Sequence, residues 1–153
     1  LNVKGHVVGN VFKIIAHNFD DDINTDEVFL PWFGSIERTG LDSASSSFLC
    51  PYTMVLKKIM FRAEEISQNA TGDLTIRLKK RDDGDDTIDT VATSTYTTTL
   101  SSDNLFVVDR SDFNNTPKFD IGDICGISIQ ASLDYGSSIT WNVTSVWEVE
   151  IVL

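Results

Sequence analysis

From Ile139 to Leu153 apolar side chains recur at every second position. Ile139, Trp141, Val143, Trp147, Val149, Ile151 and Leu153 fall on one face, with Ser145 in step, and Thr140, Asn142, Thr144, Glu148 and Glu150 stand between them. Period-two alternation of this length marks a strand with one face in a core and one in water. Just upstream, Cys125, Ile127, Ile129 and Ala131 share a face, and Asp134-Tyr135-Gly136-Ser137 has turn chemistry. The pattern predicts a β-hairpin over residues 119–153, carrying two inward tryptophans.

The same period recurs through the rest of the chain. Residues 73–81 place Leu74, Ile76 and Leu78 on one face and Thr75, Arg77 and Lys79 on the other. Residues 52–64 carry Met54, Leu56, Ile59, Phe61 and Ala63, and the step from Leu56 to Ile59 breaks the parity. A bulge or a change of sheet is therefore predicted near Lys57-Lys58. Residues 88–100 are rich in threonine, which suits a strand and not a helix. A short strand follows at Leu105–Val108, then a polar loop from Asp109 to Lys118. Turns are expected at 69–72, 82–86 and 101–104.

The first third is less regular. Residues 11–19 alternate weakly, with Phe12, Ile14 and Ala16 opposed to Lys13, Ile15 and His17, and read as a strand. Residues 20–26 form an acidic turn. Residues 27–33 read as an edge strand because Pro31 lacks a ladder donor, and residues 34–47 as a long loop. Residues 1–10 are a linker or a first edge strand. Apolar positions nowhere hold a helical period for three turns. Short strands separated by turn signals predict an all-β sandwich.

Composition narrows the uses of such a sandwich. The 153 residues suffice for one domain with its own core. The net charge of -11 disfavours nucleic acid and anionic membrane surfaces as partners. No apolar run is long enough to span a bilayer, and no secretory signal pattern opens the chain. The first residue is Leu1, so a processed product or a piece of a longer protein is expected. The two cysteines, Cys50 and Cys125, have no metal-ligand spacing. If successive strands alternate in direction, both fall at the same end, either as free buried thiols or as a disulfide.

Catalytic signatures are sparse. The two histidines, His6 and His17, both lie in the first third, no Gly-x-Ser-x-Gly occurs, and no enzymatic activity is expected. Asp22, Asn24 and Asp26 place alternate oxygens as a calcium loop does. The glycine and twelfth-position glutamate of an EF-hand are missing, so a solvated acidic turn competes with calcium. No other cofactor is implied. Loop aromatics are the better lead. Tyr135 with Asp134, and Phe113 with Asn114, Asn115 and Arg110, set a ring beside hydrogen-bonding groups, the combination that sugars require. The competing reading is a loop ring without a ligand. Trp32, Trp141 and Trp147 are assigned to the core or a subunit interface.

Three segments carry a family resemblance. They are Phe48-Leu49-Cys50-Pro51-Tyr52 with the strand Leu56–Glu64, then Gly72–Lys80, then Phe119-x-x-Gly122-Asp123-x-x-Gly126-Ile127-Ser128-Ile129 with the closing Trp141–Glu148. In this order, residues 48–153 resemble the C-terminal jelly-roll domains of bacteriophage virion fibre and tail proteins. The Phe-x-x-Gly-Asp motif is also similar to complement-type and tumour-necrosis-factor-like jelly rolls, which assemble as trimers. The resemblance brings no fixed binding or catalytic residues. It implies an antiparallel jelly-roll β-sandwich over 48–153; residues 1–47 lie outside the resemblance and are read from their own pattern as N-terminal strands and loop, belonging to the same unit or linking it upstream. It further implies a non-enzymatic homotrimer on the virion surface that meets other virion proteins. Such a module contacts a host receptor or glycan at a fibre or tail tip, or alternatively decorates a capsid or attaches a fibre without recognising a ligand.

Overall fold

The computed structural model describes residues 11–20, 23–41, 45–64, 70–82, 86–100, 105–135 and 139–150. The strands are β1 (Val11–Ala16), β2 (Phe19–Asp20), β3 (Val28–Phe29), β4 (Phe48–Leu49), β5 (Thr53–Glu64), β6 (Ala70–Arg81), β7 (Asp89–Leu100), β8 (Leu105–Asp109), β9 (Lys118–Phe119), β10 (Ile124–Ala131) and β11 (Thr140–Glu150). One 3₁₀ turn, Arg110–Asp112, follows β8. The strands form two antiparallel sheets. One runs β1-β11-β5-β8, with β2 added on β11 and β9 on β5; the other runs β3-β10-β6-β7, with β4 added on β10. Apart from β6 and β7, the long neighbours in sequence lie in opposite sheets, which is the antiparallel jelly-roll β-sandwich.

β5 and β11 make the centre of the first sheet, and their inner faces carry the heaviest side chains. Met54, Leu56, Ile59, Phe61 and Ala63 meet Trp141, Val143, Trp147 and Val149, all buried. The register passes from Val146 opposite Lys58 to Trp147 opposite Leu56, so Lys57 is the extra residue of a bulge. This irregularity is what lets Leu56 and Ile59 both face inward despite their odd spacing. Leu74, Ile76, Leu78, Ala92, Ile127 and Ile129 close the core from the second sheet. Each large side chain buried in this way contributes roughly 1.5–3 kcal/mol.

The structure corrects three sequence expectations. β10 and β11 do not pair as a hairpin. β10 pairs with β6 and β11 with β5, so their apolar faces look at each other across the core. Alternation reports which face is buried and is silent on which strand lies alongside. In β1 the parity is reversed: Phe12 and Ile14 are 57% and 71% exposed, and Ile15 and His17 turn inward. Pairing with β11 dictates this, because Ile15 lies opposite inward Ser145 and Ile14 opposite outward Val146. Lastly, β6 starts at Ala70, so residues 70–72 belong to a strand and not to a turn.

Residues 28–41 and 45–46 are not free loops. Trp32 N donates to Ser45 O at 2.6 Å, Leu30 N to Ile127 O at 2.8 Å, and Leu41 is fully buried. Val28–Phe29 pair along the edge of β10, and Phe29, Leu41 and Ser46 cover its outer face at Gly126, which helps to bury that strand on both sides. Gly126 marks the closest approach, since a Cβ there would collide with the Leu41 side chain and lie 3.2 Å from Ser46 O. Glu27 anchors the start of the segment by accepting from Ser128 Oγ at 2.7 Å, Arg77 Nη1 at 3.2 Å and Lys79 Nζ at 3.2 Å.

Candidate functional site

β8 runs along the outer edge of β5 and ends opposite the bulge, with Lys58 facing Asp109. The chain then turns. Asp109 N donates to Asp112 Oδ2 at 2.8 Å, and Phe113 N to Arg110 O at 3.4 Å, which holds the 3₁₀ turn. Phe113 drops into the core, 7% exposed, and anchors the loop by apolar burial. Leu56 N donates to Pro117 O at 2.9 Å and fixes the far end of the loop on β5. Between bulge and turn lies an open depression of about 470 Å³, lined by Lys57, Asp109, Arg110, Ser111, Phe113, Asn115 and Thr116.

Three of the residues singled out in the sequence, Arg110, Phe113 and Asn115, therefore meet in one place. Asn114 does not join them. Its Oδ1 accepts from Thr93 N at 2.8 Å and its own N–H donates to Thr93 O at 3.0 Å, so it clamps the loop to β7. Lys57 is the residue that sequence reasoning missed. Only its extra position in the predicted bulge could have pointed to it, because a bulge re-aims the side chain it carries. Lys57 Nζ sits 3.0 Å from Glu148 Oε2, and Arg110 is exposed. The depression thus offers two cations, an amide and two hydroxyls, with two carboxylates beside them, Asp109 in the lining and Glu148 on Lys57. It offers no flat aromatic face, because Phe113 is packed under the loop.

The second predicted ring is corrected more strongly. Tyr135 is fully buried and is no loop-tip platform. Its Oη lies 2.5 Å from where a Cβ on Gly72 would stand, so the absence of a side chain at Gly72 makes room for it. Burial, and then the Asp73 carboxylate, raise the phenol above its ordinary pKa. The hydroxyl has no hydrogen-bond partner among the described residues. Tyr135→Phe is accordingly expected to leave stability unchanged or raise it by about 1 kcal/mol, since it removes a buried unsatisfied group. A fall of the urea midpoint in this variant would show that the hydroxyl is satisfied.

The acidic turn is partly visible. Asp22 lies outside the described residues. Asn24 Oδ1 accepts from Asp26 N at 2.7 Å, a local turn bond that uses the oxygen a cation would need. Asp134 stands exposed beside the buried Tyr135. No cluster of three or more potential metal-ligating side chains occurs among the described residues.

His17 lies beside a hydroxyl, as a catalytic base would. Its Nε2 is 2.7 Å from Ser145 Oγ and its Nδ1 2.9 Å from Pro31 O. Both residues are fully buried, and Trp147 Nε1 donates to the same Ser145 oxygen at 2.7 Å. Pro31 O can only accept, so Nδ1 carries the proton and Nε2 accepts from Ser145 Oγ–H. The network runs Trp147 to Ser145 to His17 to Pro31 with every group used. Desolvation lowers the imidazole pKa to about 4, against the smaller opposing effect of the Pro31 carbonyl. This arrangement joins the strands, and the His17 and Ser145 side chains are both sealed from solvent.

Neither a protein-family model nor a curated protein matches the chain. Among solved structures, it is similar over 98% of its length to 93% of a chain of the cyanophage Pam1 capsid asymmetric unit, with 14% identity and a TM-score of 0.44. Desmodium yellow mottle tymovirus matches at 10% identity and a TM-score of 0.35, covering 99% of this chain and 98% of that one. Eiger TNF from S. frugiperda matches at 10% identity and 0.35, covering 92% and 95%. Similarities this low carry no argument about family or function, and the jelly-roll architecture rests on the strand pairing itself.

Proposed function

We propose that this chain is a non-enzymatic phage virion surface module, a homotrimer in a fibre or tail tip, that binds a hydroxyl-rich or anionic host-surface ligand in the depression between Lys57 and Arg110. The observation behind the ligand is the convergence there of Lys57, Arg110, Ser111, Asn115 and Thr116 on a loop held by a buried Phe113 anchor. In a chain of net charge -11, two cations at one spot suit a glycan bearing acidic groups. The double variant Lys57→Ala/Arg110→Ala is expected to lose at least about tenfold in binding on a glycan array or in host-cell adsorption, as expected for charge-assisted hydrogen bonds. Unchanged adsorption by a folded double variant would sink this reading.

A second reading, a structural subunit that decorates a capsid or attaches a fibre without a ligand, is favoured by a different surface. Edge strand β1 exposes Phe12 and Ile14, and β8 exposes Leu105 at 64%. Exposed apolar side chains on an edge strand suit contact with another subunit. Native mass measurement separates the outcomes: a strict monomer counts against both readings, and a trimer that ignores every glycan favours the second.

A further inference from the structure

We infer that Cys50 and Cys125 form a dithiol pair set to close into a disulfide in the folded chain when it meets a low-molecular-weight disulfide oxidant. The register places Phe48 opposite Cys125 and Leu49 opposite Ile124. The ladder then continues one rung beyond β4, with Cys50 N donating to Asp123 O at 2.8 Å and Gly122 N to Cys50 O at 2.9 Å. Cys50 is two residues from Phe48 and therefore on the face of Cys125, as its diagonal neighbour across the strand pair. The two side chains are close enough for the state of one thiol to shift the other. Each also has a backbone acceptor, Tyr52 O at 2.9 Å from Cys50 Sγ and Phe48 O at 3.0 Å from Cys125 Sγ. Both are buried, and the chain has no third cysteine to compete.

The pair is asymmetric. Contact with Cys125 holds the Cys50 thiol below its ordinary pKa, and the same contact, with burial, pushes Cys125 up. Cys50 is thus the first nucleophile. It also lies nearer to water, next to exposed Tyr52 and beneath the turn at Ile121-Gly122, where Gly122 holds a φ of 91° and Ile121 is 70% exposed. Opening of that turn admits the oxidant. The Cys50 thiolate attacks one sulfur of the small disulfide RS–SR, the RS–SR bond breaks, and one RS⁻ leaves and takes a proton. Cys125 then gives up its proton to solvent and attacks the Cys50 sulfur of the mixed disulfide, expelling the second RS⁻. The protein loses two electrons and two protons, and the oxidant becomes two RSH.

Closure encloses β5 through β9 in one covalent loop, so the folded state gains against a restricted unfolded chain. Oxidation is expected to raise Tm on the order of 10 °C. The test uses the folded, reduced protein, incubated without oxygen in graded mixtures of reduced and oxidised glutathione, quenched in acid, unfolded and alkylated with iodoacetamide. Intact mass should pass from a doubly alkylated monomer to an unalkylated one lacking two hydrogens. The rise in Tm should reverse with dithiothreitol and be absent in Cys125→Ser. The inference is overturned if both thiols stay alkylatable while the urea-unfolded chain oxidises, or if the end product is a glutathione adduct or a cross-linked dimer. The mass readout needs only the natural sequence, so a misfolded serine variant does not obscure it.

Discussion

Replacing Trp147 with alanine is expected to cost about 4–5 kcal/mol, the upper part of the range for deleting a buried indole. The ring is fully buried, with Phe119 stacked on it at 5.5 Å between centroids and Trp32 tilted against it at 6.0 Å. It also supplies the N–H that satisfies Ser145 Oγ. Trp147→Ala removes the packing against Phe119 and Trp32 and the donor from the network at once. Trp147→Phe keeps part of the stack and loses the donor and some ring volume, so a smaller cost of about 2–3 kcal/mol is expected. Stabilities of folded domains of this kind total roughly 5–15 kcal/mol, so the alanine variant should be marginal at 37 °C. Urea denaturation of both variants checks this. A loss below about 2 kcal/mol for Trp147→Ala would mean that the two sheets collapse around the gap.

The second large effect comes from acid. His17 has a folded pKa of about 4 against an ordinary 6.5, because its burial excludes the charged form. Above about pH 6.5 neither folded nor unfolded chain binds this proton, and the full stability is present. Between about 6.5 and 4 the unfolded chain takes it up and the folded chain does not, so stability falls as pH falls. The separation corresponds to a loss of about 3 kcal/mol by pH 4. The network explains why the proton is refused. An N–H at Nε2 would face Ser145 Oγ, which already accepts from Trp147, and the serine proton would lose its acceptor. His17→Gln is expected to be less stable at neutral pH but to lose most of the slope between pH 6.5 and 4.5. Equal slopes in the two proteins would transfer the acid effect to the carboxylates and remove His17 from the account.

Both effects trace to one inter-strand junction, and its parts were unequally visible in the sequence. The inward tryptophans and Ser145 could be read from alternation alone. The inward turn of His17 could not, because the apolar residues of β1 suggested the opposite parity and only its pairing with β11 reversed it. The depression shows the same division. Arg110, Phe113 and Asn115 stood out as a ring among polar groups. Lys57 lies more than fifty positions earlier in the chain and enters the site only because β8 runs beside the bulge of β5.

Local pattern was enough for the all-β class, for the buried faces of the long strands, and for a break in parity at Lys57-Lys58, which the register resolves as a bulge. These follow from local rules, since side chains alternate every two residues and a doubled step must be absorbed by a bulge or a change of sheet. The tertiary structure alone decided that β10 and β11 face each other across the core and that Tyr135 is sealed in. Which strand lies beside which is a choice among long-range pairings that bury nearly the same apolar surface. Alternation is equally content with any of them, and only the packing of both sheets together selects one.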